Sequence, residues 1–332
     1  MIDVAIVGLG WWGRTIAELL GSSDQIRAVV GVDPEPAGRA AAEAAGLRTA
    51  SDLDDVLADP TIDAVVLCSP HRFHVEQVIA AAAAGKHVFC EKPFSTTAAD
   101  AERAVAAVTA AGLQLGIGHE RRFEPAVVEL TRRVRDGDLG VPLAFEGNFS
   151  QDKFPSLPPD NWRLSATEAP VGPLSATGIH LVDLAISLFG QPDEVRAHLA
   201  TRATTFANGD TLSVTMTFPS GETAVITAIL TTPFLGRVCV LGSEGWMEIR
   251  DRRHPEDPRG WDVNVLHRGE SEPQARFFEP SPAVLTNLEA FAGAVAGHAD
   301  YPVTPEEILA NVRTFEAITR SALSGQAIRV QG

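Results

Sequence analysis

The chain has 332 residues, of which 45% are hydrophobic, and a formal net charge of −16 at pH 7. Such an acidic chain is a poor partner for nucleic acids and anionic membranes, and its length predicts about two domains. The first residues lack the basic region of a signal peptide, and the three cysteines form no C-x-x-C pair. We therefore expect a soluble cytoplasmic protein without a disulfide framework or a structural zinc site.

The first 33 residues predict a strand, a glycine-rich turn, a helix and a second strand. The apolar run Ile2 to Val7 is typical of a buried strand, and Gly8-Leu9-Gly10-Trp11-Trp12-Gly13 follows it. Gly8 allows the tight turn, Gly10 lets the backbone approach a pyrophosphate, and Gly13 lets helix and strand pack closely. The free amides at the helix start then face the phosphates. The segment predicts dinucleotide binding; the alternative is a strand–helix–strand unit whose glycine turn is empty.

Asp33 ends the second strand, 20 residues after Gly13. A carboxylate at this place accepts hydrogen bonds from both ribose hydroxyls of NAD and repels the 2′-phosphate of NADP. Residues 34–36 are Pro-Glu-Pro, so the nearest arginine that follows is Arg39. We expect NAD to be preferred over NADP.

Short apolar strands alternate with helices as far as residue 135. Strands are expected over 63–68, 87–90 and 115–118, and helices over 36–45, 51–58 with Ser51 as N-cap, 73–84, from Thr96-Thr97 to 111, and 123–135. This alternation predicts a doubly wound parallel sheet, the Rossmann fold. We assign residues 1–122 to a dinucleotide-binding domain.

The pattern changes after Gly140. A strand is expected over 142–152 and a helix over 174–188, followed by six runs rich in Val, Thr and Ile and two closing helices over 283–296 and 305–323. The six runs cover 195–205, 211–218, 223–231, 237–241, 246–250 and 261–266. They predict a second α/β domain over 123–332 with a largely antiparallel open sheet.

Ligands of an open parallel sheet bind outside the carboxyl ends of its strands. Besides the glycine turn and Asp33, those ends carry Ser69-Pro70, Glu91-Lys92 and His119-Glu120. Lys92 therefore projects toward the same edge as the cofactor. The alternative for Lys92 is a surface lysine that happens to follow a strand.

Lysine is rare in this chain. The three lysines are Lys86, Lys92 and Lys153, among 27 basic residues. A desolvated lysine can lose its proton, whereas arginine stays charged, so a retained lysine points to proton handling. Lys86 and Lys153 lie in loop-like segments and are expected to be solvated, which leaves Lys92 as the candidate.

Seven motifs occur in a set order along nearly the whole chain. They are Gly8 to Gly13, Asp33, Ser69-Pro70 with His74, Glu91-Lys92-Pro93, Arg121-Arg122-Phe123 with Pro125, Gly178 to Asp183, and Pro302-Val303-Thr304. Together they resemble the Gfo/Idh/MocA oxidoreductases, the family of glucose-fructose oxidoreductase and inositol dehydrogenase. The resemblance implies a Rossmann domain and an α/β domain whose open sheet often mediates oligomerisation, and hence a homo-oligomer, a dimer or a tetramer.

The resemblance also implies that Lys92 is the catalytic lysine and that His180 exchanges a proton with the substrate hydroxyl. Removing a hydride from a carbinol carbon requires loss of the hydroxyl proton, so a base must lie within hydrogen-bond reach. A nearby ammonium stabilises the developing alkoxide, and a histidine titrates near neutrality. Asp183 lies three residues after His180 on one predicted helix and could orient its ring. The alternative for His180 is a buried histidine with a structural role only.

The remaining candidates line the cofactor or the substrate. Arg163, in the segment Asn161-Trp162-Arg163, could clamp a substrate hydroxyl or carboxylate, with a structural Trp–Arg pair as the alternative. No metal is expected, because His71 and His74 lack a completing carboxylate or cysteine set. The cofactor-side set is Gly8, Gly10, Trp11, Trp12, Gly13, Asp33, Ser69, Pro70, His74, Glu91, Lys92 and His119, and the substrate-side set is Lys92, Glu120, Arg163 and His180.

One position departs from the family pattern. Sugar and inositol dehydrogenases of this type usually carry an aspartate four residues before the histidine, where this chain has Ala176. One helical turn separates the two positions, so the missing carboxylate would have stood beside His180. Ala176 therefore argues against inositol-like polyols and favours a modified sugar, a keto-sugar or a less polar cyclic diol.

We predict an NAD(P)-dependent oxidoreductase that transfers a hydride between nicotinamide and a secondary alcohol or ketone of a sugar-like substrate. The enzymatic alternative is a cyclic dihydrodiol or hydroxy-lactol dehydrogenase on the same scaffold. The other alternative is a non-catalytic NAD-binding sensor or scaffold, which only Ala176 supports. A short-chain dehydrogenase is disfavoured, because Tyr301, the only tyrosine, is followed four residues later by Pro305 instead of lysine.

Overall fold

The computed structural model describes residues 1–331, and the chain divides into two compact units. The first unit comprises Met1–Glu120 and Ala283–Val312, and the second comprises Arg121–Pro282 and the residues from Arg313 onward. This division differs from the predicted domains 1–122 and 123–332, because the segment Ala283–Val312 joins the first unit. Within the described range, none of the helices combines the length and apolar character that a membrane span needs.

Fifteen strands and nine α-helices are present among the described residues. The strands are β1 (Ile2–Val7), β2 (Ile26–Val32), β3 (Arg48–Ala50), β4 (Ala64–Leu67), β5 (His87–Cys90), β6 (Leu115–Ile117), β7 (Pro142–Ser150), β8 (Glu194–Ala200), β9 (Thr211–Thr217), β10 (Thr223–Ile229), β11 (Leu235–Gly242), β12 (Gly245–Asp251), β13 (Trp261–His267), β14 (Gln274–Phe278) and β15 (Ile328–Arg329). The α-helices are α1 (Trp11–Leu20), α2 (Pro36–Ala44), α3 (Leu53–Leu57), α4 (His74–Ala83), α5 (Ala98–Ala110), α6 (Pro125–Arg135), α7 (Ile179–Phe189), α8 (Ala283–Val295) and α9 (Pro305–Ser324).

The first unit is built on a six-stranded parallel sheet with the order β3-β2-β1-β4-β5-β6. The strand order reverses between β1 and β4, which is where such sheets bind ligands. β4 consists entirely of buried apolar residues, as expected for a parallel strand covered on both faces. The predicted doubly wound parallel sheet is confirmed.

Two helix starts differ in how closely they follow the sequence prediction. Thr97 caps α5, and its hydroxyl accepts from the Asp100 amide at 3.3 Å, as predicted. The N-cap of α3 is Asp52 instead of the predicted Ser51, and its carboxylate accepts from the Asp54 amide at 3.0 Å. Both residue types suit an N-cap, so composition alone did not separate the adjacent positions.

The segment Ala283–Val312 belongs to the first unit because it covers the edge strand β6. The Phe291 ring packs on Phe89 of β5 with 5.6 Å between ring centroids. The Asn287 amide donates to the Ile117 carbonyl at 2.9 Å, and the Tyr301 hydroxyl accepts from the Ile117 amide at 3.2 Å. These bonds satisfy backbone groups that an edge strand would otherwise leave unpaired.

The second unit is built on a nine-stranded sheet with the order β14-β13-β12-β11-β7-β10-β9-β8-β15. β7 and β10 run parallel and all other neighbours run antiparallel. Strands such as β9 alternate between buried and exposed residues, so one face is packed and the other is partly open. The predicted largely antiparallel sheet is confirmed, and β14 and β15 enlarge it beyond the predicted runs.

The helix predicted over 174–188 forms in two parts. Leu174–Gly178 is a π-helix, and α7 continues directly from Ile179. π-helical turns are rare and are often found at functional sites. This one ends two residues before His180.

Candidate active site

The glycine-rich turn joins β1 to α1 with very little room. Gly8 has φ +92°, a conformation that other residues rarely adopt, and its amide donates to the Val32 carbonyl at 2.8 Å. A Cβ on Gly13 would overlap the Gly8 carbonyl oxygen, so α1 starts in backbone contact with the turn. A Cβ on Gly10 would meet nothing within 4 Å, so the N-cap of α1 borders open space. Open space beside free helix-start amides suits a pyrophosphate.

Asp33 follows β2 with its carboxylate turned toward the glycine turn. Its Oδ2 accepts from the Leu9 amide at 2.6 Å, and its Oδ1 accepts from the Glu35 amide at 2.9 Å. The two bonds fix the carboxylate where the ribose of a dinucleotide on this turn would lie. Nη1 of Arg39 donates to the carbonyls of Asp33 at 2.6 Å and Pro34 at 2.8 Å, so this arginine is tied to the backbone.

Ser69 and Pro70 follow β4, next to the glycine turn in the sheet. The Ser69 hydroxyl donates to Gln77 Oε1 at 2.6 Å, and its carbonyl lies 2.9 Å from Nε2 of His74. His74 is fully buried, and its Nδ1 lies 2.9 Å from the Pro93 carbonyl. Its cofactor contact stays a prediction, and its contacts in the structure give it a supporting position behind the strand ends.

Glu91 directly follows β5, in a pocket made by two other elements of the first unit. Its side chain is buried, and a Cβ on Gly118 would lie 2.6 Å from the carboxylate. Burial raises the pKa of the Glu91 carboxyl, while the charge of Lys92 and a hydrogen bond from the Trp12 indole partly offset this. Glu91 therefore links the end of β5 to α1, and its protonated form is favoured by its surroundings.

Lys92 is the second residue after β5 and follows Glu91. It is half-buried, and its amide donates to Glu91 Oε2 at 3.3 Å. The Lys92–Pro93 peptide bond is cis. His119 and Glu120, which follow β6, are buried and half-buried respectively. The first unit thus collects the predicted cofactor residues and Lys92 along the carboxyl ends of its strands.

In the second unit, His180 lies at the start of α7 among aromatic rings. It is 4% exposed, and its ring centroid lies 5.9 Å from that of Phe149 on β7. The Phe149 ring also faces His254, at 5.5 Å, and Arg121, at 5.3 Å. Sequence reasoning missed His254, because it lies in a polar loop without any motif around it.

Asp183 forms a buried ion pair that the sequence did not indicate. Nε and Nη2 of Arg122 donate to its two carboxylate oxygens, each at 2.7 Å. The two side chains are only 10% and 2% exposed, and a bidentate pair of this kind is strong and directional. The pair anchors α7, the helix that carries His180. The orientation of His180 by Asp183 stays a prediction.

Arg163 lies flat on its neighbour Trp162, with 4.4 Å between the guanidinium carbon and the ring centroid. Burial lowers the pKa of the Arg163 guanidinium, and Glu256 partly offsets this. Within residues 1–331, the guanidinium makes neither a hydrogen bond nor an ion pair. A half-buried cation with unused donors is suited to a hydroxyl or carboxylate of a ligand.

Ala176, in the π-helix, packs against an apolar cluster. The buried members of the cluster are Phe154, Leu164 and Leu230, and Leu157 and Phe206 pack on it with Ala176. The helix face one turn before His180 is therefore lined with hydrocarbon.

The expectation that Lys86 and Lys153 are solvated is wrong for Lys86. Lys86 is 7% exposed, and its ammonium donates to the carbonyls of Asp59 at 2.7 Å and Ile62 at 2.8 Å. Lys153 is 45% exposed and forms an ion pair with Glu256. The Lys86 partners are carbonyls at the end of a loop before β4, which no sequence pattern around Lys86 reveals.

Cysteines and metal-ligand types are scattered in the described chain. Cys68, Cys90 and Cys239 are free thiols, and burial raises the pKa of each. Within residues 1–331, no group of three or more His, Cys, Asp or Glu side chains is placed to hold a metal ion.

The chain matches two known family profiles. Residues 2–119 match the oxidoreductase family with an NAD-binding Rossmann fold, and residues 127–248 match the GFO/IDH/MocA C-terminal domain. Among curated proteins, it is 30% identical to 1,5-anhydro-D-fructose reductase of Ensifer adhaerens over 288 residues, which cover 86% of this chain and 84% of that protein. It is 28% identical to the scyllo-inositol 2-dehydrogenase (NAD(+)) of Bacillus subtilis strain 168, over 99% of this chain and 96% of that one.

Solved structures give a similar result. The aldose-aldose oxidoreductase of Caulobacter crescentus, crystallised with glycerol, aligns with a TM-score of 0.86 and 28% identity. The alignment covers 99% of each chain.

Proposed function

Because the chain belongs to the Gfo/Idh/MocA family of oxidoreductases, we propose that it transfers a hydride between NAD and a secondary alcohol or ketone of a sugar-like substrate. One observation carries this proposal: the glycine turn, Asp33 and Lys92 follow the carboxyl ends of β1, β2 and β5 in a single sheet. Nicotinamide supplies the hydride chemistry when it is bound. The chain supplies binding, orientation and the handling of a proton.

The proposed cofactor is NAD, with NADP disfavoured. The Asp33 carboxylate already accepts two backbone hydrogen bonds at the tip of β2, which hold its negative charge beside the ribose position. A 2′-phosphate would meet this charge. Arg39 is the cation that could neutralise a phosphate, but two carbonyl bonds hold its Nη1.

Lys92 and His180 are the proposed proton-handling groups. Lys92 would stabilise the developing alkoxide and exchange a proton with the substrate oxygen. Burial raises the pKa of the Glu91 carboxyl beside it, and the charge of Lys92 partly offsets this. His180 would act as the acid or base partner, held by α7 and the Arg122–Asp183 pair.

The proposed substrate is a sugar-like compound that lacks hydroxyl groups on one side. The apolar cluster around Ala176 offers no hydroxyl acceptor beside the helix face that leads to His180. The guanidinium of Arg163 offers donors for a hydroxyl or carboxylate elsewhere on the substrate. An anhydro-sugar or keto-sugar fits this combination, and the related 1,5-anhydro-D-fructose reductase bears the name of such a compound.

The same apolar cluster keeps a second candidate in view, a cyclic dihydrodiol or hydroxy-lactol dehydrogenase. Such a substrate would place a hydrocarbon edge against Ala176, Leu164 and Phe206. A non-catalytic NAD-binding sensor is the candidate from a different class. A sensor would not require Lys92 as a proton-handling group.

We also propose a cytoplasmic homo-oligomer, a dimer or a tetramer. Support comes from the acidic composition and from the partly exposed face of the nine-stranded sheet, where Val225 is 48% exposed.

The test follows nicotinamide absorbance in both directions with NAD and NADP. The substrates are 1,5-anhydro-D-fructose, aldoses, keto-sugars, inositols and cyclic diols. Lys92→Ala should lower kcat by about 10²–10⁴-fold while NADH still binds. Lys86→Ala is the matched control, because it removes a lysine from the other end of β5 and should cost stability without lowering kcat.

Turnover that Lys92→Ala does not reduce would reject the proposed site. Tight NADH binding without turnover of any compound would favour the sensor. Preference for cyclic diols over sugars would favour the second candidate.

A further inference from the structure

His74 occupies an unusual position among the polar residues of the first unit. It is the first residue of α4, and its side chain is fully buried. Its two ring nitrogens face two backbone carbonyls from different loops: Nδ1 lies 2.9 Å from the Pro93 oxygen and Nε2 lies 2.9 Å from the Ser69 oxygen. A buried histidine normally has one donor partner and one acceptor partner, because the neutral ring carries one N–H and one lone pair.

Both of these carbonyls belong to segments that matter for the reaction. Pro93 directly follows Lys92, and Ser69 directly follows the residue after β4 at the sheet edge that holds the glycine turn. A neutral ring donates to one carbonyl at a time and a protonated ring donates to both, but either form requires the imidazole at this place. The ring thus joins the loop after β5 to the loop after β4.

A second bond from the same helix supports this arrangement. Oε1 of Gln77, one turn further along α4, accepts from the Ser69 hydroxyl at 2.6 Å. The first turn of α4 therefore holds Ser69 at both its carbonyl and its hydroxyl. The imidazole of the same turn also contacts the Pro93 carbonyl.

We propose that His74 is a positioning residue for Lys92: its imidazole fixes the Pro93 carbonyl relative to Ser69 and so sets where the Lys92 ammonium lies. Pro93 is the residue after Lys92, so a shift of the Pro93 carbonyl also moves the backbone from which the half-buried Lys92 side chain starts. A displacement of about 1 Å in a reacting group can cost about 10²-fold in rate. This inference rests on the proposed catalytic role of Lys92 for its effect on turnover, but not for its effect on the position of Lys92.

The chain offers a direct probe, because it contains only three lysines. Labelling lysine with ¹³C at Cε gives three side-chain signals in an NMR spectrum, and Lys92→Ala assigns the one from Lys92. His74→Phe keeps an aromatic ring and removes both ring nitrogens. His74→Gln keeps one amide donor. His87→Phe is the matched control, since its Nδ1 accepts from the Gln114 amide at 2.9 Å at the opposite end of β5.

In His74→Phe, the Lys92 signal should shift, while the signals of Lys86 and Lys153 stay in place. The kcat should fall by about 10–100-fold, and the dissociation constant of NADH should change by less than about 3-fold. His74→Gln should show a smaller shift and recover part of the rate. His87→Phe should leave the Lys92 signal and kcat unchanged.

An unshifted Lys92 signal in folded His74→Phe would overturn the proposal. If that variant does not fold, His74→Gln decides, since an unshifted signal and unchanged kcat there have the same meaning. A shifted signal with unchanged turnover would keep the positioning role and reject the catalytic role of Lys92.

Discussion

At the scale of single residues, Gly10 and Gly13 have different roles: Gly10 leaves space for a ligand, and Gly13 allows close packing. A Cβ on Gly13 would overlap the Gly8 carbonyl oxygen, whereas a Cβ on Gly10 would meet nothing within 4 Å. Gly13→Ala should therefore destabilise the free protein by about 1–3 kcal/mol and also weaken NADH binding. Gly10→Ala should leave the stability of the free protein unchanged and weaken NADH binding alone, because its methyl would meet the pyrophosphate.

Thermal unfolding without cofactor and fluorescence titration with NADH measure the two effects separately. Unchanged NADH affinity in Gly10→Ala would contradict the placement of the pyrophosphate at this turn.

Asp33 sets the choice between the two nicotinamide cofactors. Asp33→Asn keeps an oxygen that can accept from the Leu9 amide but removes the negative charge beside the ribose. Loss of a charged hydrogen bond costs about 1.5–3 kcal/mol, so NAD affinity should fall by about 10–100-fold. NADP affinity should rise or stay constant, because the repulsion of its phosphate is gone. Titrations of both cofactors test this, with Glu35→Gln as a control that leaves their ratio unchanged.

Glu91 makes the free energy of unfolding fall as pH rises, which is the opposite of the usual effect of a carboxyl group. Burial raises the pKa of its carboxyl in the folded state, so the folded protein binds more protons than the unfolded chain between the two pKa values. Stability contributed by this group is therefore lost as pH rises from about 4.3, the ordinary pKa, through the raised pKa. Glu91→Gln cannot ionise, so its stability relative to wild type should increase over this window and stay constant above it.

Chemical denaturation of both proteins between pH 4 and pH 8 measures that difference. Carboxyls with lowered pKa, such as Asp210 and Glu248, contribute equally to both proteins and cancel. A difference that does not vary with pH would mean that Glu91 ionises normally.

Some site residues can be predicted from the sequence around them, and others cannot. The glycines and Asp33 lie within 33 consecutive residues, and turn chemistry constrains them, so the sequence predicts their arrangement. Lys86, His254 and the Arg122–Asp183 pair depend on partners far along the chain. Charge and hydropathy patterns carry no information about such partners, and the prediction for Lys86 was wrong for this reason.

At the scale of elements, a buried ion triad joins the start of α6 to β12. Arg121 donates to Asp251 at 2.8 and 2.9 Å and to Glu124 at 3.1 and 3.2 Å, and all three side chains are at most 2% exposed. Arg121→Met would leave two buried carboxylates without their cation. We expect a loss of about 3–5 kcal/mol in the free energy of unfolding.

The control is Arg253→Met, which removes an exposed pair with Asp257 whose side chains are 61% and 58% exposed. That loss should stay within about 1 kcal/mol. Urea denaturation compares the variants, and similar losses in both would show that the triad contributes no more than a surface pair.

The elements themselves followed from sequence wherever periodicity was strong. β9 and β10 show clear alternation, and β4 is a continuous apolar run, so all three were predicted. β14 was missed because its residues are mostly exposed and include charge, and β15 is too short, with two residues, to show a period. The parallel pairing of β7 with β10 depends on long connections, which local pattern does not record.

At the scale of the whole molecule, the sequence did not predict that Ala283–Val312 belongs to the first unit. The helices of this segment were predicted, but their packing on β5 and β6 rests on Phe291, Asn287 and Tyr301. Each of these residues is compatible with a core in either unit. Sequence order therefore suggested one continuous C-terminal domain, and only tertiary contacts separate the segment from it.

The partly open face of the nine-stranded sheet is the surface on which we expect chains to associate. Val225 is 48% exposed there on β10, which neighbours the central strand β7, and its register partner on β7 is Glu146. Val225→Lys places a cation beside Glu146, which already pairs with Arg237. The protomer tolerates this exposed charge, but an interface over this face would have to bury it. Light scattering coupled to size exclusion should give two or four times 35.3 kDa for wild type and a lower mass for Val225→Lys.

Val128→Lys is the matched control, because Val128 is 52% exposed on α6 in the same unit. It carries the same change of side chain and charge, so its mass should equal that of wild type. A wild-type monomer would reject the oligomer outright. Equal masses for wild type and Val225→Lys would move the interface to another surface, because a lysine in the middle of a buried sheet face cannot be neutral in its effect on association.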